Sequence, residues 1–158
     1  MKQIAIYPSP VGNIQIEYAN GAVIALKLAK SDTKADPPTA FSQLVCQQLD
    51  EYFAGTRTAF SLPLELHGTP FQEKVWAALQ QIPYGEVRSY KDIATMIGNP
   101  KACRAVGMAN NANPLFIIIP CHRVIGVNGA LVGYGGGLAM KKALLELEKQ
   151  HKPEPAQK

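Results

Sequence analysis

The sequence has few of the residues that staple small secreted or zinc-binding domains together. It contains three cysteines, at wide spacings and without a Cys-x-x-Cys pair: Cys46, Cys103 and Cys121. An odd number at such spacings argues against a disulfide framework and against a structural zinc site built from cysteines. We therefore expect a reducing, cytoplasmic compartment.

Long apolar runs are also missing. No stretch approaches the roughly 18 apolar residues that cross a membrane. The N-terminal residues Met-Lys-Gln-Ile-Ala-Ile-Tyr have no apolar core of a secretory signal. We expect no membrane partner. With 158 residues, of which 47% are hydrophobic, the chain can form one packed domain or two small halves.

Charge is unevenly distributed. Residues 1–69 hold five Lys or Arg against six Asp or Glu, whereas residues 88–142 hold seven Lys or Arg and one acid, Asp92. Such a one-sided positive field suits a polyanion such as nucleic acid. A basic surface that only aids solubility remains the alternative.

The N-terminal half has the pattern of a scaffold. Ile14, Ile16 and Tyr18 alternate with polar residues, as in a half-buried strand, and Asn20-Gly21 predicts a type I′ turn to a further strand. From about Pro38 to Phe53 the apolar residues share one helical face, and Gly55 ends the helix. That face holds Phe41, Leu44, Val45, Leu49, Tyr52 and Phe53.

The second half predicts a helix-turn-helix. Thr69 and Ser89 each begin a capping box. One short helix is predicted after Ser89 and a second over residues 101–111. The inward residues are predicted to be Ile93, Met96 and Ile97, then Ala102, Ala105, Val106 and Ala109. Lys101, Arg104, Met108 and Asn111 share the opposite face. An ordinary helical hairpin in an enzyme core is the alternative.

A thiol and an imidazole follow an apolar run. Residues 115–119 predict a buried strand that ends at Pro120, before Cys121 and His122. Adjacent residues on an extended segment point to opposite sides, so a water relay between imidazole and sulfur is expected. An acid should orient the imidazole. Spacing on the predicted C-terminal helix, with its apolar stripe Met140, Ala143, Leu144 and Leu147, leaves both Glu146 and Glu148 open.

The longer string around the thiol is much more specific. Residues 119–124, Ile-Pro-Cys-His-Arg-Val, resemble the active-site signature of the O6-alkylguanine-DNA alkyltransferases, the methylated-DNA–protein-cysteine methyltransferases. The resemblance covers residues 70–149 and, more loosely, the N-terminal half. Further motifs agree in order and spacing: Ser89-Tyr90, Gly98-Asn99-Pro100, Arg104-Ala105-Val106-Gly107, Asn113-Pro114, Gly133-Tyr134, Gly136-Gly137-Leu138-Ala139 and Glu148.

The resemblance implies a role for each catalytic candidate. Cys121 would accept the alkyl group directly from guanine O6. His122 would be the base, acting through a water, and Glu148 would hold and polarise it. Tyr90 would donate to N3 of guanine, and Asn113 would support the active-site turn.

The resemblance also implies an interface with DNA. Arg104 would fill the space of the flipped base, and Lys101, Ala105, Tyr90 and Arg123 would contact DNA. The guanine pocket would be lined by Val124, Tyr134, Gly135 and Gly136. Gly135 stands where the family often has Ser, which affects the alkyl groups that the pocket can accept.

The fold implied is an α/β protein in two parts. Residues 1–68 would be a ribonuclease H-like α+β domain, with an antiparallel sheet plus a helix. Residues 69–150 would be a mostly helical domain with a winged-helix-like helix-turn-helix, followed by a tail, 151–158. The expected activity is DNA repair by single-turnover transfer from guanine O6, with thymine O4 as a second substrate position. We expect a monomer that acts on double-stranded DNA, with no metal and no cofactor.

Two other functions remain open from the residues. A Cys-His hydrolase would turn over and would use the glycine-rich segment for an oxyanion hole. A DNA-binding regulator would keep Cys121 for structure only.

Overall fold

The N-terminal part is built on a small antiparallel sheet. The computed structural model describes residues 2–126 and 137–152. The sheet has the order β1-β2-β3, formed by Gln3–Ser9, Gly12–Ala19 and Ala22–Leu28. Asn20 and Gly21 join β2 to β3 with φ angles of 52° and 73°. Both central residues of a type I′ turn need positive φ, so the predicted hairpin is confirmed.

Capping boxes begin several helices. In each, a Ser or Thr side chain and the third helical residue bond each other's backbone N–H. They are α1 (Ala40–Phe53, capped by Thr39), α2 (Pro70–Leu79, capped by Thr69) and α3 (Tyr90–Met96, capped by Ser89). The starts predicted at Thr69 and Ser89 are confirmed, whereas α1 begins at Ala40 rather than near Pro38. Gly55 ends α1 with a φ of 81°, as predicted.

The buried face of α1 differs from the prediction at one position. Val45, Leu49 and Tyr52 are buried, but Leu44 is 41% exposed. Gln48 is buried on this helix, and its side-chain amide both donates to and accepts from the backbone of Ser61. The amide can therefore be buried without losing hydrogen bonds, which apolar patterning does not anticipate.

The helix-turn-helix forms from α3 and α4 (Cys103–Asn111), and α4 packs against both α2 and α3. Val106 and Ala109 are buried as predicted, whereas Met96 and Ala105 are exposed. The indole N–H of Trp76 donates to the Ala109 carbonyl at 2.9 Å. This contact fixes the face that α4 presents to α2, so Ala105 lies away from the core.

The apolar run at 115–119 is not a strand, contrary to the prediction. Leu115 forms an isolated parallel bridge with Leu26, and the chain then turns, with the Ile119 N–H donating to the Leu115 carbonyl at 2.9 Å. Ile117 has a φ of 72°. The run is apolar because alternate side chains, Leu115, Ile117 and Ile119, are buried in the core, not because they form a ladder.

A turn of 3-10 helix, Cys121–Arg123, carries the predicted site residues. The next residues, β5 (Val124–Ile125), pair in parallel with β4 (Arg88–Ser89). No antiparallel wing hairpin occurs within residues 69–126 and 137–152. The backbone at Cys121 and His122 is helical, so the prediction that these two residues lie on an extended segment is wrong.

The last helix, α5 (Leu138–His151), packs against the 3-10 turn. Met140 and Leu144 are buried as predicted, but Ala143 is exposed. Lys141 and Glu148 share the buried face instead. In the part of the chain that the structure describes, no helix is both long and apolar enough to cross a membrane.

Candidate active site

Asparagine side chains hold the turn that begins at Cys121. The Asn113 amide donates to the Ile119 carbonyl at 2.8 Å, and its oxygen accepts from the Leu115 N–H at 2.9 Å. Asn110 donates to the Cys121 carbonyl at 3.4 Å. Both asparagines are buried. This geometry fits the supporting role expected of Asn113 and adds Asn110, which the sequence analysis missed.

His122 is fully buried and bonded to a carboxylate. Its Nε2 lies 2.6 Å from Oε2 of Glu148. Because an ionised carboxylate only accepts hydrogen bonds, Nε2 carries the proton and Nδ1 keeps its lone pair. Nδ1 is buried and has no hydrogen-bond partner among the described residues. The geometry thus selects Glu148 over the exposed Glu146, and it leaves Nδ1 as the basic atom of the ring.

Glu148 is the centre of a buried hydrogen-bond network. Its Oε2 accepts from the Tyr52 hydroxyl at 2.6 Å and from Nη2 of Arg123 at 3.0 Å, besides His122. Its Oε1 accepts from Nε of Arg123 at 2.7 Å and from the Gly85 N–H at 3.2 Å. The carboxylate is 1% exposed. A buried charge is tolerated only with such a full set of partners.

The network sets the protonation of the His122–Glu148 pair. Burial alone would raise the pKa of Glu148, but the hydrogen bonds and charges of His122 and Arg123 outweigh it and hold that pKa well below its ordinary value. Burial lowers the pKa of His122, against the hydrogen bond and charge of Glu148. Arg123 and Lys141 lower it further. The imidazole is therefore neutral beside an ionised carboxylate at neutral pH.

Arg123 does not lie where we expected it. We predicted contact with DNA, but its side chain is buried and paired with Glu148. Its Nη1 also donates to the Ile82 carbonyl at 2.7 Å, and its guanidinium lies 5.6 Å from the centre of the Tyr84 ring. This corrects the expectation: the guanidinium is bonded to the buried Glu148 carboxylate and is shielded from a surface partner.

Tyr90 lies beside the thiol. Burial raises the pKa of its phenol, and the charge of Cys121 raises it further. The ring also approaches α4, because a Cβ placed on Gly107 would lie 3.8 Å from it. A phenol that keeps its proton can act as a hydrogen-bond donor next to the sulfur.

Lys141 is a charged residue of the site that the sequence analysis missed. It is fully buried on α5. Burial lowers the pKa of its ammonium, while the charge of Cys121 opposes that shift. Its spacing from Leu144 and Glu148 places it on the buried stripe of α5, which is the sequence signal that could have found it.

The outer face of α4 is exposed and basic. Lys101 and Arg104 are exposed as predicted, and Met108 is 71% exposed. Within the described ranges neither cation forms a salt bridge. Ala105 joins this face, so the structure leaves it accessible to a partner.

The predicted pocket is described in part. Val124 is buried next to the 3-10 turn. Tyr134, Gly135 and Gly136 lie outside the described residues. Across residues 2–126 and 137–152, no cluster of three or more His, Cys, Asp or Glu side chains could hold a metal ion.

Comparisons with known proteins agree on one family. Residues 70–150 match the model of the 6-O-methylguanine DNA methyltransferase DNA binding domain, and residues 4–66 match that of its ribonuclease-like domain. The methylated-DNA–protein-cysteine methyltransferase of Mycobacterium tuberculosis is 51% identical over 151 residues, which cover 92% of this chain and 91% of the relative.

Solved structures give the same result. The crystal structure of the Mycobacterium tuberculosis O6-methylguanine methyltransferase superposes with a TM-score of 0.89 at 44% identity, covering 98% of this chain and 97% of that one. A structure of the Mycobacterium tuberculosis OGT in complex with DNA superposes with a TM-score of 0.86 at 47% identity, covering 94% and 93%. With both parts of its fold matched by family models, the chain belongs to the 6-O-methylguanine DNA methyltransferase family.

Proposed function

We propose that this protein repairs DNA by moving an alkyl group from O6 of guanine to the sulfur of Cys121, once per molecule. The observation that carries the proposal is the buried His122–Glu148 pair beside the thiol, with Nδ1 of His122 left without a partner among the described residues. A thiolate is the reactive form of cysteine, so a thiol in such a site needs a neighbouring base.

The transfer is a displacement at the alkyl carbon. His122 takes the thiol proton through a bridging water, and Glu148 stabilises the imidazolium that forms. The sulfur then bonds to the alkyl carbon, the bond from that carbon to O6 breaks, and its electron pair returns to guanine. Guanine takes up one proton as it leaves, so thiol and alkylguanine become thioether and guanine. A thioether has no easy route back to thiol, which explains the single turnover.

Tyr90 assists the leaving group. Its phenol lies near the sulfur and holds its proton firmly, which supports donation to N3 of guanine as charge develops on the base. Val124, with Tyr134, Gly135 and Gly136, would line the pocket for the extruded base. The same pocket would admit O4-alkylthymine as a second substrate.

Double-stranded DNA is the proposed partner. The exposed cations of α4, Lys101 and Arg104, would meet DNA, with Ala105 allowing close approach. Guanine O6 cannot reach a buried sulfur while the base is stacked, and extrusion costs a few kcal/mol. Arg104 would fill the space left in the duplex. The phosphate contacts make binding weakly dependent on sequence and strongly dependent on salt.

The cellular and physical setting follows from the same proposal. The three cysteines form no disulfide, which fits the reducing cytoplasm. We propose that residues 1–68 and 69–150 form the two domains. We also propose that the active form is a monomer. Light scattering with and without duplex DNA would test the last point.

The deciding experiment measures intact mass after incubation with a duplex that carries O6-methylguanine. We expect a gain of one CH₂ on the peptide containing Cys121, stopping at one equivalent. Cys121→Ala should abolish the gain and keep duplex binding. Ester or amide turnover would indicate a hydrolase, and tight DNA binding without a mass change would indicate a regulator.

Base extrusion has its own test. Arg104→Ala should slow repair in duplex DNA roughly tenfold or more, while changing the reaction with free O6-benzylguanine by less than about twofold. Lys34→Ala, which removes an exposed cation from the N-terminal part, is the matched control. Equal losses on both substrates would contradict the extrusion role of Arg104.

A further inference from the structure

The N-terminal part supplies one side chain to the catalytic network. Tyr52 lies in the last turn of α1, and its hydroxyl donates to Oε2 of Glu148 at 2.6 Å. This is the oxygen that His122 also contacts. We propose that Tyr52 is a positioning residue that keeps His122 neutral by sharing the carboxylate oxygen that faces the imidazole. The inference rests on the proposed function, in which His122 is the base.

The tyrosine ring is held independently of its hydroxyl. It meets Phe53 edge-on with ring centres 5.3 Å apart, Tyr84 edge-on at 6.2 Å and Phe60 at 5.5 Å. The residue is buried. A phenylalanine at this position would keep these aromatic contacts, so the hydroxyl can be tested apart from the packing.

The hydroxyl acts through the basicity of Oε2. Each donor to this oxygen withdraws negative charge from it, and the donors are His122, Tyr52 and Nη2 of Arg123. With one donor fewer, the oxygen would hold a protonated imidazole more strongly, which raises the pKa of His122. A protonated His122 cannot take the proton of Cys121.

Other groups near His122 and Glu148 also keep the imidazole neutral or keep the Tyr52 hydroxyl protonated. Arg123 from the 3-10 turn and Lys141 from α5 both disfavour a cationic His122. Burial and the nearby Glu148 raise the pKa of Tyr52 well above its ordinary value, so the phenol keeps its proton. Tyr84 also meets the Tyr52 ring, and its pKa is raised, by burial first.

The test compares the loss of two tyrosine hydroxyls, one from α1 (Tyr52) and one from β1 (Tyr7). Tyr52→Phe removes the donor to Glu148, whereas Tyr7→Phe removes an equally short bond, 2.6 Å, to Asp50 of α1. Neither Tyr7 nor Asp50 is among the groups that shift the pKa of His122 or Glu148. The rate of benzyl transfer from free O6-benzylguanine is measured between about pH 5 and 8, where histidine titrates. We expect the acid limb of the Tyr52→Phe profile to move up by roughly half a pH unit or more, about a threefold loss on that limb.

Other parts of the profile give the contrast. The rate of Tyr52→Phe on the alkaline plateau should stay within about twofold of wild type, because His122 is neutral there in both proteins. Tyr7→Phe should retain the wild-type limb. Superimposable acid limbs for the two variants would overturn the inference and leave Tyr52 with a packing role.

A titration without any reaction separates this inference from the proposed function. The imidazole nitrogens of His122 are followed by ¹⁵N NMR in unreacted wild type and both variants. A raised pKa in Tyr52→Phe alone supports the inference even if the wild-type protein accepts no alkyl group, a result that would contradict the proposed function. If Tyr52→Phe does not fold, a wild-type His122 that titrates at the ordinary value of about 6.5 overturns the inference.

Discussion

Glu17 and Glu148 are both buried carboxylates, but their partners differ. Glu17 lies on β2, and its cations are the ammonium groups of Lys2 and Lys27, each at 3.0 Å and each on a side chain that is 55% exposed. Glu148 lies on α5 and bonds residues of α1 and the 3-10 turn, and its cation is the guanidinium of Arg123, which is buried. Water can replace the exposed lysines, whereas the guanidinium of Arg123 is buried and held against the carboxylate.

The difference concerns what each carboxylate controls. Burial would raise the pKa of Glu17, but the lysines lower it, through hydrogen bonds and charge, below its ordinary value. Glu17 shifts the pKa of none of the described site residues Tyr90, His122, Lys141 and Glu148. Burial lowers the pKa of His122 and Glu148 opposes that shift, so the partners of Glu148 have consequences for chemistry as well as stability. The donors to Glu148 are buried in fixed positions, whereas the donors to Glu17 are exposed, mobile lysine side chains.

The largest effect should follow the loss of the buried carboxylate. Glu148→Gln leaves Arg123 buried without a counter-charge, so we expect a loss of about 3–5 kcal/mol in the free energy of unfolding. Alkyl transfer should fall by roughly a hundredfold or more, because the imidazole loses its orienting charge. Urea unfolding and transfer kinetics measure the two. Glu17→Gln is the matched control, expected within about 1 kcal/mol and at the wild-type rate; similar losses in the two variants would remove the distinction.

The cations should show the same contrast, somewhat reduced. Arg123→Met keeps a long side chain but leaves Glu148 to be stabilised by Tyr52, Gly85 and His122, at a cost of about 3 kcal/mol. His122 then becomes the remaining counter-ion, its pKa rises, and transfer at neutral pH slows. Lys27→Met should change the unfolding free energy by less than about 1 kcal/mol. A rate for Arg123→Met that equals wild type at pH 7 would contradict the electrostatic role of the guanidinium.

Acid stability should show the smallest but most specific contrast. The folded pKa values of His122 and Glu148 both lie below their ordinary values of 6.5 and 4.5. Below about pH 6.5 for His122, and below about pH 4.5 for Glu148, the unfolded chain binds more protons than the folded protein. The stability from each group is therefore present above that pH and is lost as the pH falls below it. Glu17 contributes only below 4.5. Chemical denaturation at several pH values should therefore find that Glu17→Gln retains the loss between pH 6.5 and 4.5; a flat wild-type curve in that window would contradict the neutral, buried His122.

Much of the local structure could be predicted because its cause is local. Asn20-Gly21 form a turn whatever surrounds them, and Thr69 and Ser89 cap helices through their own third residues. The prediction of a strand at residues 115–119 was wrong because its structure depends on distant parts of the chain. An apolar run indicates burial, but whether the backbone pairs or turns depends on what lies beside it, here Leu26 and the amide of Asn113.

The site residues divide in the same way. Cys121, His122 and Glu148 could be named from motifs, because a thiol, an imidazole and an acid are recognisable chemistry. Arg123 was misassigned, since an arginine in a basic region predicts a surface contact and the buried carboxylate that binds it is 25 residues away in sequence. Tyr52 had no such signal, because its hydroxyl meets Glu148 across 96 residues.

The sequence by itself determined the family, the turns, the helix starts and which cysteine we propose as the acceptor, since each depends on neighbouring residues. Only the tertiary structure decided which groups surround Glu148. Folding brings the end of α1, the turn at Gly85 and the 3-10 turn to one face of α5. A carboxylate can be ionised in that interior only when all its donors arrive together, and their arrival depends on packing that no single segment encodes.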